Sequence, residues 1–497
     1  MRRACAVLLG MLLASAAGHA QVPDLQPAAP DPHPTAPDSL PTAPSVVRAQ
    51  TGPGSPTLRF GTISIATATA EALPLALEDA VDRGVRMSLQ MQLAAETERS
   101  VRGEILAVGN NLMPNLRASA QTNTSEINLA ALGFKPASLA GLGLAPGSLH
   151  QIVKVDTTSA QLSLDQTLFN LPEIYLYSAA RKSAAVAAWN VLNVRGGVVD
   201  AVATRYLAAL ADQAQIADAQ ALVVADEEQL RQATLFREAG VGTNLDVLRA
   251  RVQLQTEQQT VVRYENAFAQ DKVALNRLIG LPADQQITLT DTVPYAELAV
   301  MPLEQAQTIA YARRKDLLAL QAQLEVAERV RKAVHAEHLP QLAFNGFYGV
   351  LGETRGLYHG VFTAQAVVKI PLFEEARFRG EGEIAAAQVM ALNRQIDALK
   401  VTIEQQIRSS MLDVESAAQR VRVAQSNVLL TSQALSDARD RFAAGVTDNL
   451  AVIQAQASLA SAQSRLISTE FQYNQAKLQL ARNTGVVETQ YRQFLGR

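Results

Sequence analysis

Three polar residues near the middle of the chain have the types and spacing of a metal site. His335 and His338 flank Glu337, just before Pro340. That spacing brings two imidazoles within reach of one ion. It is not His-Glu-x-x-His, in which one helix face carries both ligands and a glutamate base. These residues read as helix-end histidines, and no metal is assigned. Gly352-Glu-Thr-Arg-Gly356 has loop composition and lacks the order of a phosphate cradle. No Gly-x-Ser-x-Gly elbow and no dinucleotide fingerprint occurs. The carboxylates are scattered over polar faces and form no catalytic pair. The chain reads as a non-enzyme without a cofactor. Its conspicuous polar residues gather instead around two glycines, Gly240 and Gly445, so the elements that carry those glycines decide the reading.

The N-terminus gives an address. Arg2 and Arg3 precede an apolar run from Ala4 to Ala17, and Gly18-His19-Ala20 is a small-x-small cleavage signal. Residues 1–20 read as a secretory signal peptide. The run is short for a membrane span. The only cysteine, Cys5, lies inside it, which leaves the mature chain without a thiol, a disulfide or a lipidation site. Residues 21–60 are a Pro-rich linker that cannot bury enough apolar surface to fold. Net charge is −3, so bulk charge does not favour nucleic acid. Beyond residue 20 no apolar run is long enough for a transmembrane helix, but a secreted chain also enters membranes as a β-barrel.

The body is an internal repeat. Leu77-Glu-Asp-Ala80 recurs as Leu303-Glu-Gln-Ala306, and Met113-Pro-Asn-Leu116 as Leu339-Pro-Gln-Leu342, both 226 residues apart. Leu168-Phe169 matches Leu372-Phe373 at 204, and Gly240-Val241 matches Gly445-Val446 at 205. The change of offset places an insertion in the first half, within 130–151, where Gly, Ala, Pro and Leu read as a loop. The first repeat spans 70–285, a connection 286–301, the second repeat 302–487 and a tail 488–497.

Each repeat contains two apolar seams of period seven. Val202, Ala209, Ile216, Val223 and Leu230 correspond to Ile407, Val414, Val421, Val428 and Leu435. Val247, Leu254, Val261, Phe268 and Leu275 correspond to Val452, Leu459, Leu466, Tyr473 and Leu480. A seven-residue period keeps one helix face on a partner, which is coiled-coil packing. Gly240 and Gly445 end the first arm of each helical hairpin. Thr243 or Asn244, and Asp448 or Asn449, are placed to cap the returning helix. The first arms, from about Glu173 and Gly382, are roughly 60 residues, or roughly 90 Å. Strands precede them. Leu342, Phe344, Tyr348 and Val350 share one face, with Phe347 breaking the alternation, and Phe362, Ala364, Ala366, Val368 and Ile370 share another. Leu116, Ala118 and Ala120, then Leu162 and Leu164, do the same in the first half. One apolar and one polar face suits a strand between lipid and a wet lumen. The same alternation also suits a soluble sheet, which would go with a periplasmic coiled-coil scaffold.

Two turns carry a resemblance: Phe236-Arg-Glu-Ala-Gly240-Val-Gly-Thr-Asn-Leu-Asp-Val-Leu-Arg-Ala250 and Arg441-Phe-Ala-Ala-Gly445-Val-Thr-Asp-Asn-Leu-Ala-Val-Ile-Gln-Ala455. With Gln166-Thr-Leu-Phe169 and Ile370-Pro-Leu-Phe373, in this order and twice, the chain resembles the TolC family of outer-membrane efflux proteins from about Leu73 to Gly485. The resemblance implies a mainly α fold with a β-barrel part: long coiled-coil helical hairpins and two β-hairpins per chain. A homotrimer would form a twelve-stranded outer-membrane barrel, in contact with outer-membrane lipid and continued by a periplasmic α-helical tunnel. It implies a passive exit duct for drugs or small toxic solutes, working with a periplasmic adaptor (membrane fusion) protein and an inner-membrane RND or ABC transporter. A duct for type I protein secretion has the same fold and stays open. The narrow tunnel end would lie at the two glycine turns. There the aperture and adaptor-contact candidates are Gly240, Thr243, Asp246, Arg249, Arg441, Phe442, Gly445, Thr447 and Asp448. Asp246 stands at the family's acidic position, but its counterpart in the second half is Ala451. Phe442 and Thr447 stand where the family archetype has tyrosine and arginine, so that closing network cannot form as such. Asp448, with Asp246, Arg249 and Arg441, either substitutes for it or merely caps and solvates the helix tips.

Overall fold

The computed structural model describes residues 68–69, 71–128, 152–292, 295–299, 301–444, 446–447 and 449–496. The expected signal peptide and linker, the 130–151 insertion, Gly445 and Asp448 lie outside the described residues.

The two repeats match element by element. The first runs α1 (Leu77–Met87), α2 (Leu89–Gly109), β2 (Asn115–Asn128), β3 (Ile152–Phe169), α3 (Leu171–Glu238) and α4 (Asn244–Ile279). The second runs α5 (Leu303–Arg313), α6 (Lys315–Ala336), β5 (Gln341–Glu353), β6 (Tyr358–Lys369), α7 (Glu375–Ala443) and α8 (Asn449–Asn483). Short strands β1 (Leu73–Leu75) and β4 (Ile287–Leu289) pair in parallel, and α9 (Val487–Leu495) closes the chain.

The long arms have 68 and 69 residues, or roughly 100 Å each at a helical rise. Pro172 and the Asn170 cap, whose side chain accepts from the Glu173 amide at 3.3 Å, fix where α3 starts. The second arm begins at Glu375, earlier than the Gly382 start read from sequence, because Gly380 and Gly382 are carried inside the helix. Every seam residue is buried or half-buried, in both hairpins. The heptad reading therefore describes the real contact face.

The strands form one antiparallel sheet in the order β2-β3-β5-β6. β2, β3 and β5 extend beyond the segments read from alternation, while β6 starts earlier, at Tyr358, and ends at Lys369, one residue short of Ile370. The register pairs Leu116 with Leu164, Ala118 with Leu162, Leu162 with Tyr348, and Tyr348 with Phe362, so the apolar residues share one face. Asn115 with Asp165, Ser119 with Gln161, and Asn345 with Gln365 hold the other. Phe347 lies on this polar face, opposite Ser163 and Thr363. The Gly352–Gly356 segment ends β5 and turns into β6, with Arg355 at φ 72°.

The main core lies where the first repeat begins and both repeats end, while Ala306, Ala310 and Leu317 at the start of the second pack on Ile396, Ile403 and Ile407 of α7. Tyr206, Leu207 and Val202 of α3 meet Leu77 and Ala80 of α1, Ile279 of α4, Leu478 of α8 and Leu495 of α9. The Tyr206 hydroxyl lies 2.8 Å from both the Leu75 carbonyl and Asp291 Oδ2, and Asp291 accepts from the Leu77 amide at 2.7 Å. One carboxylate thus caps α1 and ties it to α3. The connection 286–301 carries β4, and residues 488–497, read as a tail, form most of α9, with Tyr491, Phe494 and Leu495 buried. Neither short element has enough length for a period to show.

Candidate aperture at the hairpin tips

The first tip is built by backbone chemistry. The α3 helix ends at Glu238, and Gly240 takes φ +74°, where a side chain is disfavoured. The amides of Val241 and Gly242 both donate to the Phe236 carbonyl, at 3.0 and 2.9 Å, and close the turn. Thr243 then caps α4. Its Oγ1 accepts from the Asp246 amide at 3.2 Å, and Asp246 Oδ2 accepts from the Thr243 amide at 3.1 Å and from its hydroxyl at 2.5 Å. This reciprocal box satisfies donors that a helix start otherwise leaves orphaned. Arg249 lies 3.9 Å from Asp246, one turn along.

The second tip stands beside the first. Phe442 packs on Phe236 with ring centroids 5.7 Å apart and planes at 57°. Val446 donates to the Arg441 carbonyl at 2.9 Å, and Thr447 is half-buried. Asn449, the first residue of α8, is buried and accepts from Gln229 of α3, so a side-chain hydrogen bond joins the two hairpins. Of the sequence-derived candidates, Gly240, Thr243, Asp246 and Arg249 come together in one turn. Phe442 reaches across, and Arg441 sits exposed on the last turn of α7.

Sequence reasoning missed a set of residues further up the hairpins. Asp226 of α3 is 2% exposed, and its Oδ1 accepts from Gln456 Nε2 of α8 at 2.5 Å. Glu257 of α4, 8% exposed, accepts from Gln253 at 3.3 Å. Burial raises the Asp226 carboxyl to about 6, the Glu257 charge adds to this, and hydrogen bonds from Gln253 and Gln456 oppose it. Burial also raises Glu257, against the pull of Arg263. The signal was available. Asp226 lies seven residues from both Ala219 and Ala233, and Glu257 seven from Ala250, all buried and each three residues after a seam residue (Ile216, Leu230 and Val247). Asn449, Gln456 and Gln463 repeat the same interval on α8.

The histidine pattern sits elsewhere, against the start of α7. His338 stacks on Phe378 at 4.1 Å, and Glu337 pairs with Arg377 at 2.6 Å. Among the described residues no group of three or more His, Cys, Asp or Glu is arranged to hold a metal ion, and no helix is long and apolar enough to cross a membrane.

The family model for outer membrane efflux proteins matches residues 86–281 and 308–486. The gap between the two matches contains β4 and the connection. A probable efflux pump outer membrane protein of Pseudomonas putida, SepC, is 26% identical over 322 residues, which cover 62% of this chain and 65% of that protein. The alkaline protease secretion protein AprF of Pseudomonas aeruginosa is 25% identical over 355 residues, covering 67% of this chain and 70% of its own. The outer membrane protein VceC of Vibrio cholerae has the same fold, with a TM-score of 0.67 at 16% identity over 82% of this chain and 96% of its own. The chain thus spans 65% of the length of the first of these relatives.

Proposed function

The chain belongs to the outer membrane efflux protein family, and from that premise we propose that it is the outer-membrane duct of a tripartite efflux pump, a passive exit path for small toxic solutes. The carrying observation is the four-stranded sheet with one apolar face and, among the described residues, two free edges, β2 and β6. Open strand edges are not tolerated in lipid, and four strands do not close on themselves. Three copies joined edge to edge give twelve strands and abolish the edges. Phe362 and Tyr348 then face lipid, and the row of Asn115, Ser119, Gln161 and Gln365 faces the lumen.

The repeat supports a homotrimer at the helices as well. Within one chain α8 lies against α3, where Gln456 meets Asp226. The repeat equivalents of Asp226 and Glu257 are Thr431 and Ala462, and they line an open groove between α7 and α8. Leu245, Leu248 and Val252 form an exposed apolar stripe on α4 at helical spacing. We place the α4 of a neighbouring copy in that groove, so that Arg251, the equivalent of Gln456, enters beside Thr431.

At the tips, Gly240, Thr243, Asp246, Arg249, Arg441, Phe442, Gly445, Thr447 and Asp448 form the proposed aperture and the contact for a periplasmic adaptor, itself coupled to an inner-membrane RND or ABC transporter. The capping box engages the Asp246 carboxylate within its own helix, so a gate there works by exchanging that bond. Planar-bilayer conductance of the purified protein, with its mass in detergent, tests the proposal. A trimer with discrete conductance steps is expected, and a monomer that conducts nothing overturns it. A second reading, a duct for a secreted protein, is favoured by the AprF match. Deletion of the chain separates the two, by sensitivity to small toxic solutes or by loss of an extracellular protein.

A further inference from the structure

The polar cluster between the hairpins leaves two buried acceptors without a donor. Gln456 Nε2 donates to Asp226 Oδ1 and the Gln253 amide also bears on that carboxyl, but Asp226 Oδ2 and Gln456 Oε1 are both buried and among the described residues neither has a hydrogen-bond partner. They are acceptors of one carboxyl and one amide already joined on one side. An acid and an amide can pair through two bonds, N–H to carboxyl oxygen and carboxyl O–H to amide oxygen. The second bond needs a proton on Oδ2. A buried acceptor left unmade costs more than a made bond gains, so the site favours the protonated acid.

We propose that the carboxyl of Asp226 is a proton-binding site that fastens the first helical hairpin to the second through Gln456. The fastening joins α3 to α8, roughly 20 Å along the helix from Gly240. The surrounding charges favour the proton. From α4 comes Glu257, whose negative charge bears on Asp226, with Gln253 beside it and Arg263 acting on Glu257. α8 carries no charged residue from Asn449 to Ser464. On α3 itself, Glu227, Glu228 and Arg231 are exposed, and Glu228 and Arg231 pair with each other.

Burial and Glu257 place the carboxyl above its ordinary range, at about 6, so the packed hairpins hold the proton more tightly than parted ones. The fastening is complete below pH about 4, the ordinary aspartate range, and is lost as pH rises through about 6. If the tips open by parting of the hairpins, which rests on the duct reading, acid holds them shut.

The test reads the helices and not the pore. In the full-length protein in detergent, amide hydrogen exchange is followed over 449–463 between pH 4.5 and 7.5, corrected for the intrinsic rate. Protection of the wild type should fall up to roughly tenfold per pH unit up to about pH 6 and then level off. Asp226→Asn supplies a permanent N–H donor at Oδ2 and should remove the fall. Glu257→Gln removes the neighbouring charge and should move the fall to lower pH. It keeps the question answerable if the asparagine variant does not assemble. Equal pH dependence in wild type and Asp226→Asn overturns the proposal. So does a wild type without pH dependence, the result a bridging water in place of the proton would give. A Glu257→Gln fall that does not move also counts against it. Conductance does not enter this readout, so failure of the duct reading leaves it intact.

Discussion

Replacing Asp246 by alanine separates two roles that one carboxylate combines. The side chain accepts from the Thr243 amide at 3.1 Å and from its hydroxyl at 2.5 Å, and it faces Arg249 at 3.9 Å. Losing the box costs the first turn of α4 about 1 kcal/mol. The ion pair is partly exposed and adds less than about 1 kcal/mol. The sum, about 1–2 kcal/mol, raises the opening equilibrium of that turn about 5- to 30-fold. The rest of the fold should be untouched, because the main core lies at the other end of α4, around Leu275 and Ile279. Amide exchange at residues 241–247 reads the local opening, and bilayer conductance with its cation preference reads the aperture. Thr243→Ala is the control, since it breaks the same box and keeps the charge. If Asp246 lines the aperture, both variants loosen the turn, and only Asp246→Ala lowers the cation preference. Equal conductance effects would reduce Asp246 to a cap. Exchange unchanged in both variants would refute the capping argument itself.

Three further changes test packing and charge. Gly84→Val should lower the thermal midpoint, at a cost of about 1–3 kcal/mol, because a Cβ there stands 2.7 Å from Val202 Cγ2 and α1 must move off α3. A midpoint equal to wild type by circular dichroism would contradict that contact. Tyr473→Phe strips the hydroxyl that accepts from the Leu298 amide at 2.8 Å, and should cost about 1–3 kcal/mol in a denaturant titration and speed exchange at Leu298. Burial lowers the Lys477 ammonium to about 8. The parted chain therefore binds that proton more tightly than the folded one, and wild-type stability gains as pH rises from about 8 to about 10. Lys477→Met should lack that gain, read as the difference between two melting-point profiles.

The hairpins, their seams and the tip glycines were legible because each rests on a period or on a turn that one residue type dictates. Val202 and Ile407 announce their seams by spacing alone, and Gly240 by the sign of φ that its turn needs. The strands were legible in type but not in extent. Asn123 and Thr157 carry no alternation, and pairing across the sheet sets the length of β2 and β3. The short pieces were not legible. β4 is fixed by β1, more than two hundred residues earlier, and α9 is fixed by a core shared with Leu77 and Tyr206. Such contacts are long-range and leave no local mark. At the tip, Thr243 was readable as a cap from its place after the glycine turn. Asp226 was not, because a carboxylate in a coiled-coil helix reads as solvated until its interval from Ala219 and Ala233 is counted.

The duplication explains why the unusual chemistry sits in one place. Asp226 and Glu257 have Thr431 and Ala462 as equivalents, and Gln456 has Arg251. Both repeats keep the apolar seams, which any pair of arms needs. Among the described residues only the first repeat carries buried acids, Asp226 and Glu257, and the second carries the amide that meets Asp226. A buried carboxyl is costly wherever its partner is not held in place. Within one chain the partner is always present at a fixed position. Between chains it arrives only on assembly, and an uncompensated acid would penalise the free subunit. The proposed contact between copies therefore offers a neutral Thr431 and Ala462 to an exposed Arg251, whose charge stays solvated until docking. Moving the acid pair into the second repeat, by Thr431→Asp with Ala462→Glu, should weaken folding of the isolated chain while adding a charge partner for Arg251. Trimer formation should then become salt-dependent in a way the parent is not. Sedimentation of both proteins across ionic strength measures this, and identical profiles would remove α4 of a neighbour from that groove.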